Sequence, residues 1–247
     1  MRVVAKTDRG RVRENNEDYY IVDEEINLFI VADGVGGCRG GEVASRLAAE
    51  TIRQVIRERL IKPGNHNRNI EAIIQEAINC AHGTIVNEAA DDPSLSSMGT
   101  TIVLGLLQGE TLYVAHVGDS RALLVNAQQI SLLTEDHSVV MDLISEGKIS
   151  WEDAKHHEMR HVITQCLGCA KYLGPEIKKF DFNKDDILLL CSDGLTDMVE
   201  DYEIKQMIVE KGGNLEQVAD ALPKLANSRG GRDNITLVLV ECYDYLN

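Results

Sequence analysis

Four aspartates sit beside glycine or at the end of an apolar run: Asp33-Gly34 after LFIVA, Gly118-Asp119 after LYVAHV, Asp193-Gly194 after ILLLCS, and Asp233 just ahead of ITLVLV. A carboxylate at a strand end is fixed by the buried strand behind it while still facing solvent, and an adjoining glycine lets backbone come close. Several carboxylates that converge repel one another, so stable convergence calls for cations between them. Oxygen-only donors select hard Mg²⁺ or Mn²⁺ over zinc, which prefers histidine and cysteine. One Asp-Gly pair is ordinary turn chemistry; a set of them at strand ends is a candidate metal site. A second cluster, RENNED at 13–18, places Arg13 beside the carboxylates of Glu17 and Asp18 just before a strand. Arginine's planar fork suits phosphate, although a solvated charged loop accounts equally well for this cluster taken alone.

The elements that must position these groups can be read from the apolar pattern. Short runs at 3–6, 19–22 and 28–32 read as strands, the last bounded by a Gly-rich stretch at 33–41. Helical spacing follows from 42 to about 60 and from 70 to about 90, with Pro63-Gly64 between. Runs at 100–107, 111–117, 121–125 and 129–132, joined by short connections, read as an antiparallel meander. From 136 to 175 the pattern weakens into short amphipathic pieces that carry Trp151, His156, His157 and His161, and this stretch reads as an inserted lobe. Strands resume at 176–181 and 187–191, helices follow at 201–210 and 215–228, and 235–241 is a closing strand. Without regular βαβ alternation, the order favours antiparallel sheets covered by helices over a doubly wound parallel sheet.

Composition sets outer bounds. The 247 residues are 44% hydrophobic and 26% charged, as in an ordinary soluble globular protein. Twenty-five Lys and Arg against forty Asp and Glu leave a net charge of −15, which repels phosphate backbones and anionic membranes and argues against nucleic acid or membrane as partner. No run approaches the roughly 20 apolar residues of a transmembrane helix, so the expected address is cytoplasmic. Six scattered cysteines read as reduced thiols. Cys166 and Cys169 form a CxxC, but no second pair completes a structural zinc site.

The motifs together resemble the metal-dependent Ser/Thr protein phosphatases of the PPM (PP2C-type) family, above all its compact bacterial members. The resemblance runs through Thr7-Asp8-Arg9-Gly10, Arg13, Asn16-Glu17-Asp18, Val31-Ala32-Asp33-Gly34-Val35-Gly36-Gly37, Gly41-Glu42-Val43-Ala44-Ser45 and Met98-Gly99-Thr100-Thr101. It continues through Val117-Gly118-Asp119-Ser120-Arg121, Leu133-Thr134-Glu135-Asp136-His137-Ser138, Val162-Ile163-Thr164, Leu167-Gly168, Ser192-Asp193-Gly194-Leu195 and Asp233-Asn234-Ile235-Thr236. Each fragment is weak alone; their order and spacing are specific.

The resemblance implies an α+β fold, a four-layer α-β-β-α sandwich of two antiparallel sheets flanked by helices, formed by residues 1–247 as one catalytic domain with a flap at about 137–175. It implies hydrolysis of phosphoserine and phosphothreonine on proteins by a water bridging two Mn²⁺ or Mg²⁺ ions. By the family's pattern Asp33 bridges the ions, Asp193 and Asp233 hold the first, and the Gly34 carbonyl holds the second. Glu17 and Asp18 hold bound waters or the second ion, Asp119 with Asp193 forms a third site, and Arg13 binds the phosphoryl oxygens. The implied partners are phosphorylated proteins and an opposing Ser/Thr kinase, and the implied state is a monomer. The alternatives are a pseudophosphatase that binds phosphoproteins without turnover, and a phosphatase dedicated to one regulator.

The chain also departs from the family's pattern. Val35 and Cys38 stand where relatives carry histidine, so no motif-matched histidine is available as general acid. Gln165-Cys166 replaces the Arg-Ala usual before Leu-Gly, beside the flap. Cys38 reads as a small residue in a tight loop, His116 as a satisfied polar group in a strand, and the flap histidines as solvated.

Overall fold

Strands that are apolar at every position, and not at every second one, must be covered on both faces. A computed structural model of the chain describes residues 1–35, 40–61, 69–210 and 214–242, and its central strands are covered in this way. One sheet has the order β1 (Arg2–Asp8), β11 (Ile235–Glu241), β10 (Ile187–Cys191), β7 (Arg121–Val125), β8 (Ile130–Leu132). The other runs β2 (Asp18–Asp23), β3 (Leu28–Val35), β5 (Ile102–Gln108), β6 (Thr111–Val117), β9 (Glu176–Asp181), with the short β4 (Gly99–Thr100) paired to the far end of β3. The pairings within both sheets are antiparallel.

The two-residue period of β3 divides its side chains between two cores. Leu28, Ile30 and Ala32 pack with Ala48, Ile52 and Ile56 of α1 (Gly41–Ile61) and Ile74, Ile78 and Ile85 of α2 (Ile70–Asp91). Phe29 and Val31 point the other way and meet Leu188, Leu190 and Val238 between the sheets. On the far side, Leu189, Leu237 and Leu239 lie under Ile204 and Ile208 of α6 (Asp201–Glu210) and Val218 and Leu222 of α7 (Leu215–Ser228). The result is the expected four-layer α-β-β-α sandwich. Burial of each such side chain stabilises the fold by about 1.5–3 kcal/mol before the entropy of ordering is set against it.

Two expectations need correction. The four-strand meander is divided: β5 and β6 stay in one sheet, while the chain crosses at 118–120 and delivers β7 and β8 to the other. The edge of β10 accepts β7 across the full length of both strands, a long-range pairing that short connections do not reveal. The cysteines are not all reduced, because Cys166 and Cys169 are joined by a disulfide. Cys80 and Cys191 are not bridged.

The inserted lobe contains α3 (Val139–Ser145) and α4 (Trp151–Lys155), each started by a serine cap: Ser138 Oγ accepts from Met141 N, and Ser150 forms a capping box with Asp153. Its own buried apolar set is small, chiefly Val140 and Ala154, while Trp151 and Leu173 are exposed. A bridge between Ser138 and Ile163 closes the lobe on itself, and one between Thr100 and Leu167 ties its later part to the sandwich.

Candidate metal centre

The elements converge at one edge of the gap between the sheets. Asp18 opens β2 and is paired in register with Asp33 of β3. Asp193 opens the single-turn helix α5 (Asp193–Thr196) directly after β10, and Asp233 lies just before β11. Asp119 sits on the crossing between the sheets, immediately before Ser120 and β7. Because β10 and β11 are neighbours in one sheet and β2 and β3 in the other, the carboxylates face each other across the gap.

Hydroxyl and amide groups fix the backbone around them. Asp33 N–H donates to Thr101 Oγ1 at 3.1 Å, and the Asp33 carbonyl accepts from Thr101 N and the Thr100 hydroxyl, both at 2.9 Å. Gly34 N donates to the Glu17 carbonyl at 3.1 Å. Position 34 has no room for a side chain, since an added Cβ would lie 2.4 Å from the Gly41 carbonyl oxygen, and this close approach brings the start of α1 against Glu17. Asn234 acts as a clip: its side chain accepts from Glu17 N at 2.8 Å and donates to the carbonyls of Arg9 and Asn15 at 2.9 Å. The segment carrying Arg13 and Glu17 is thereby laced to Asp233.

The electrostatics match a site built for cations. Burial, and then the charges of Asp18, Asp193, Asp119 and Asp233, hold the Asp33 carboxyl well above the usual range. Asp193 is raised strongly by burial and by Asp119, Asp197, Asp233 and Asp18. Burial pushes Asp18 up to about 6 and, together with the nearby Asp136, Asp119 up to about 7. Asp18 Oδ1 and Asp193 Oδ1 are buried with no hydrogen-bond partner. Orphaned acceptors amid mutual repulsion fit hard divalent cations, since a bound cation supplies both the missing partner and the missing charge.

Of the residues singled out in the sequence, Asp18, Asp33, Asp119, Asp193 and Asp233 share one electrostatic cluster. Glu17 is at its margin, its carboxyl raised by burial and by Glu42 at the start of α1. Arg13 stands at the mouth, about half exposed, and its guanidinium donates to Asp233 Oδ2 at 2.6 Å. Cys38 lies outside the described residues. Sequence reasoning missed Asp197, which feels Asp193 and is paired at 3.0 Å with His161 Nδ1. The signal was its place one helical turn after Asp193. His161 is exposed, as expected of a flap histidine, and through this pair it also links the lobe to the acidic cleft.

A separate cluster brings ligand atoms of His116, His137 and Glu176 within 4.8 Å of one another. His116 Nε2 is bonded to the Glu135 carbonyl at 2.7 Å, and its ring stacks on His137 with centroids 4.5 Å apart. Gly118 N donates to His137 Nδ1 at 3.1 Å, which leaves Nε2 as the protonated nitrogen of the neutral ring. His137 therefore turns an N–H toward Glu176, 3.9 Å away, and not a lone pair for a metal. His116 is the satisfied strand histidine that its position suggests.

Comparisons with known proteins point to one family. The family model described as Protein phosphatase 2C matches residues 8–228. The chain is 38% identical over 244 residues to the serine/threonine phosphatase stp of Listeria innocua, covering 98% of this chain and 96% of that protein. The crystal structure of the serine/threonine phosphatase Stp1 from Staphylococcus aureus superposes with a TM-score of 0.88 at 33% identity, over 98% of this chain and 95% of that one. The catalytic domain of the serine/threonine protein phosphatase PstP, in complex with two manganese ions, superposes with a TM-score of 0.85 at 32% identity over 98% of each chain.

Proposed function

The chain belongs to the protein phosphatase 2C family and is a metal-dependent serine/threonine protein phosphatase, and on that premise we propose that its acidic cleft is a binuclear Mn²⁺ or Mg²⁺ centre. In this reading Asp193 and Asp233 would hold one ion, the Gly34 carbonyl the other with Asp18 and Glu17 beside it, and Asp33 would serve both. Asp119 and Asp193 offer a third position. The observation that carries the assignment is the pair of buried, partnerless oxygens on Asp18 and Asp193 inside a cluster where burial and mutual repulsion raise the carboxyls of Asp18, Asp33, Asp119 and Asp193. The manganese complex of PstP supports it.

When bound, the cations offset the carboxylate charge and activate water for attack on phosphorus. The chain's own groups do the positioning. Thr100 and Thr101 grip both backbone polar groups of Asp33, so its carboxylate is presented on a rigid strand end. Arg13, at the mouth, binds phosphoryl oxygens and offsets the charge that grows in the transition state. Its contact with Asp233 keeps the guanidinium within reach of the cleft, and its exposure lets it turn toward substrate.

Phosphorylated proteins are the substrates, and an opposing Ser/Thr kinase is the functional counterpart. Residues 1–247 form one catalytic domain with the lobe at 137–175 as its flap. The net charge of −15 supports a protein that avoids nucleic acid and membranes, and no helix among the described residues is long and apolar enough to cross a membrane. We assign it to the cytoplasm as a monomer. The test is phosphate release from a phosphothreonine peptide by metal-stripped protein titrated with Mn²⁺ or Mg²⁺. Release that depends on metal supports the assignment. Folded protein that binds phosphopeptides but releases no phosphate at any metal concentration would establish the pseudophosphatase instead.

A further inference from the structure

The segment that ends the lobe carries a feature that phosphate hydrolysis does not use. The Cα atoms of Cys166 and Cys169 are 5.5 Å apart, a separation that a disulfide can span. Gly168 turns the chain between the two cysteines at φ +85°, a conformation open to glycine and strained for other residues. The turn is pressed onto the sandwich, for an added Cβ at 168 would lie 2.6 Å from the Ile85 side chain and 2.8 Å from the Met98 carbonyl. Gly168 N donates to His82 Nδ1 at 3.1 Å, Tyr172 stacks on His82 with centroids 4.2 Å apart, and the Tyr172 hydroxyl donates to Asn79 at 2.6 Å. Leu167, inside the ring closed by the sulfurs, exchanges both backbone hydrogen bonds with Thr100, at 2.9 and 3.1 Å. Thr100 in turn donates its hydroxyl to the Asp33 carbonyl. Both sulfurs lie over Gly99, where an added Cβ would be 3.1 Å from Cys166 Sγ and 3.2 Å from Cys169 Sγ.

A bridge between residues three apart closes too short a ring to restrain the unfolded chain much, because that effect grows with loop length. Neither Cys80 nor Cys191 is bridged to another cysteine, which is unlike the framework of a disulfide-stabilised protein. Access differs between the two ends of the bridge: Cys166 is buried and Cys169 is half-buried. Cys191, by contrast, is fully buried and its thiol is pushed up to about 12 by burial, so it is inert.

We propose that Cys166 and Cys169 are a reversible dithiol–disulfide pair, a redox modification site oxidised by small disulfides of the glutathione class, which sets how firmly the end of the lobe is held to Thr100. The more accessible Cys169 thiolate attacks the small disulfide, forming a mixed disulfide and releasing one thiolate. The Cys166 thiolate then attacks Cys169 Sγ, closing the internal bridge and releasing the second. The two protons given up by the cysteines go to the released thiolates, so two protein thiols are oxidised as one small disulfide is reduced to two thiols. In the oxidised form the ring braces Leu167 against Thr100; in the reduced form those two backbone hydrogen bonds stand without it.

The test equilibrates the full chain with buffers of varied reduced-to-oxidised glutathione ratio, traps free thiols by alkylation, and locates them by mass spectrometry alongside amide hydrogen exchange. Cys166 and Cys169 should lose alkylation together and regain it on reduction, while the Leu167 and Thr100 amides exchange about tenfold faster in the reduced form. Cys169→Ser should show the fast exchange at every ratio. Native protein in which both cysteines stay alkylated throughout, or in which the bridge forms and breaks with no change in exchange at Leu167 and Thr100, overturns the proposal.

Discussion

Replacing Asp18 by asparagine separates what the cleft needs for folding from what it needs for metal. Asp18 is 8% exposed; its Oδ2 accepts from Ser192 Oγ at 2.8 Å and its Oδ1 has no partner. Burial, only partly opposed by the hydroxyls of Thr236 and Ser192, raises its pKa from 3.8 to about 6. A rise of just over two pH units, at about 1.36 kcal/mol each, makes ionised Asp18 a burden of about 3 kcal/mol on the metal-free fold. Since the folded state holds this proton more tightly than the unfolded state, the burden is absent below pH 3.8, grows between 3.8 and 6, and is complete above 6. Asp18→Asn removes the charge, keeps the shape and retains an acceptor for Ser192, but it places a buried amide where the orphaned oxygen stood, at a cost of about 1–2 kcal/mol. In EDTA at pH 8, urea denaturation should therefore find the variant about 1–2 kcal/mol more stable than the parent, with no advantage at pH 4. Saturating Mn²⁺ should reverse the ranking by stabilising the parent more. A variant equal to or less stable than the parent at pH 8 in EDTA would refute the reasoning.

Arg13→Ala should raise the KM for a phosphothreonine peptide about tenfold, while leaving Mn²⁺ affinity no weaker because Asp233 loses its competing guanidinium; an unchanged KM would remove Arg13 from phosphate binding. Arg121→Ala should cost about 3 kcal/mol in urea unfolding, since the Arg121 fork donates to Asp136 at 2.9 and 2.5 Å and its loss leaves a poorly solvated carboxylate; a change below about 0.5 kcal/mol, the usual scale of surface substitutions, would show that the pair is incidental.

The layers of the sandwich were legible because burial on both faces writes itself into runs such as LFIVA and ILLLC, and helix faces into the spacing of Ala44, Ala48, Ile52 and Ile56. The acidic cluster was legible for the same reason: each aspartate follows or precedes one of those runs, and the family resemblance supplied their convergence. What long-range contact decides was not. Nothing local to residues 118–120 says that the next strand will pair with β10, so the meander expectation failed there. The docking of His161 on Asp197 needs the lobe folded back over α5. The joining of Cys166 and Cys169 depends on a glycine turn wedged against α2, and the CxxC spacing alone admits metal, bridge or free thiols.

The central claim, that the facing aspartates form a binuclear cation site, is tested most directly by counting bound Mn²⁺. Calorimetric titration of metal-stripped protein should find at least two ions per chain, with protons released as the raised carboxyls of Asp33 and Asp193 ionise. Asp33→Ala should lose both tight ions, and Asp193→Ala the first. A parent protein that binds fewer than two ions, or an Asp33→Ala variant that binds as many as the parent, would contradict the account.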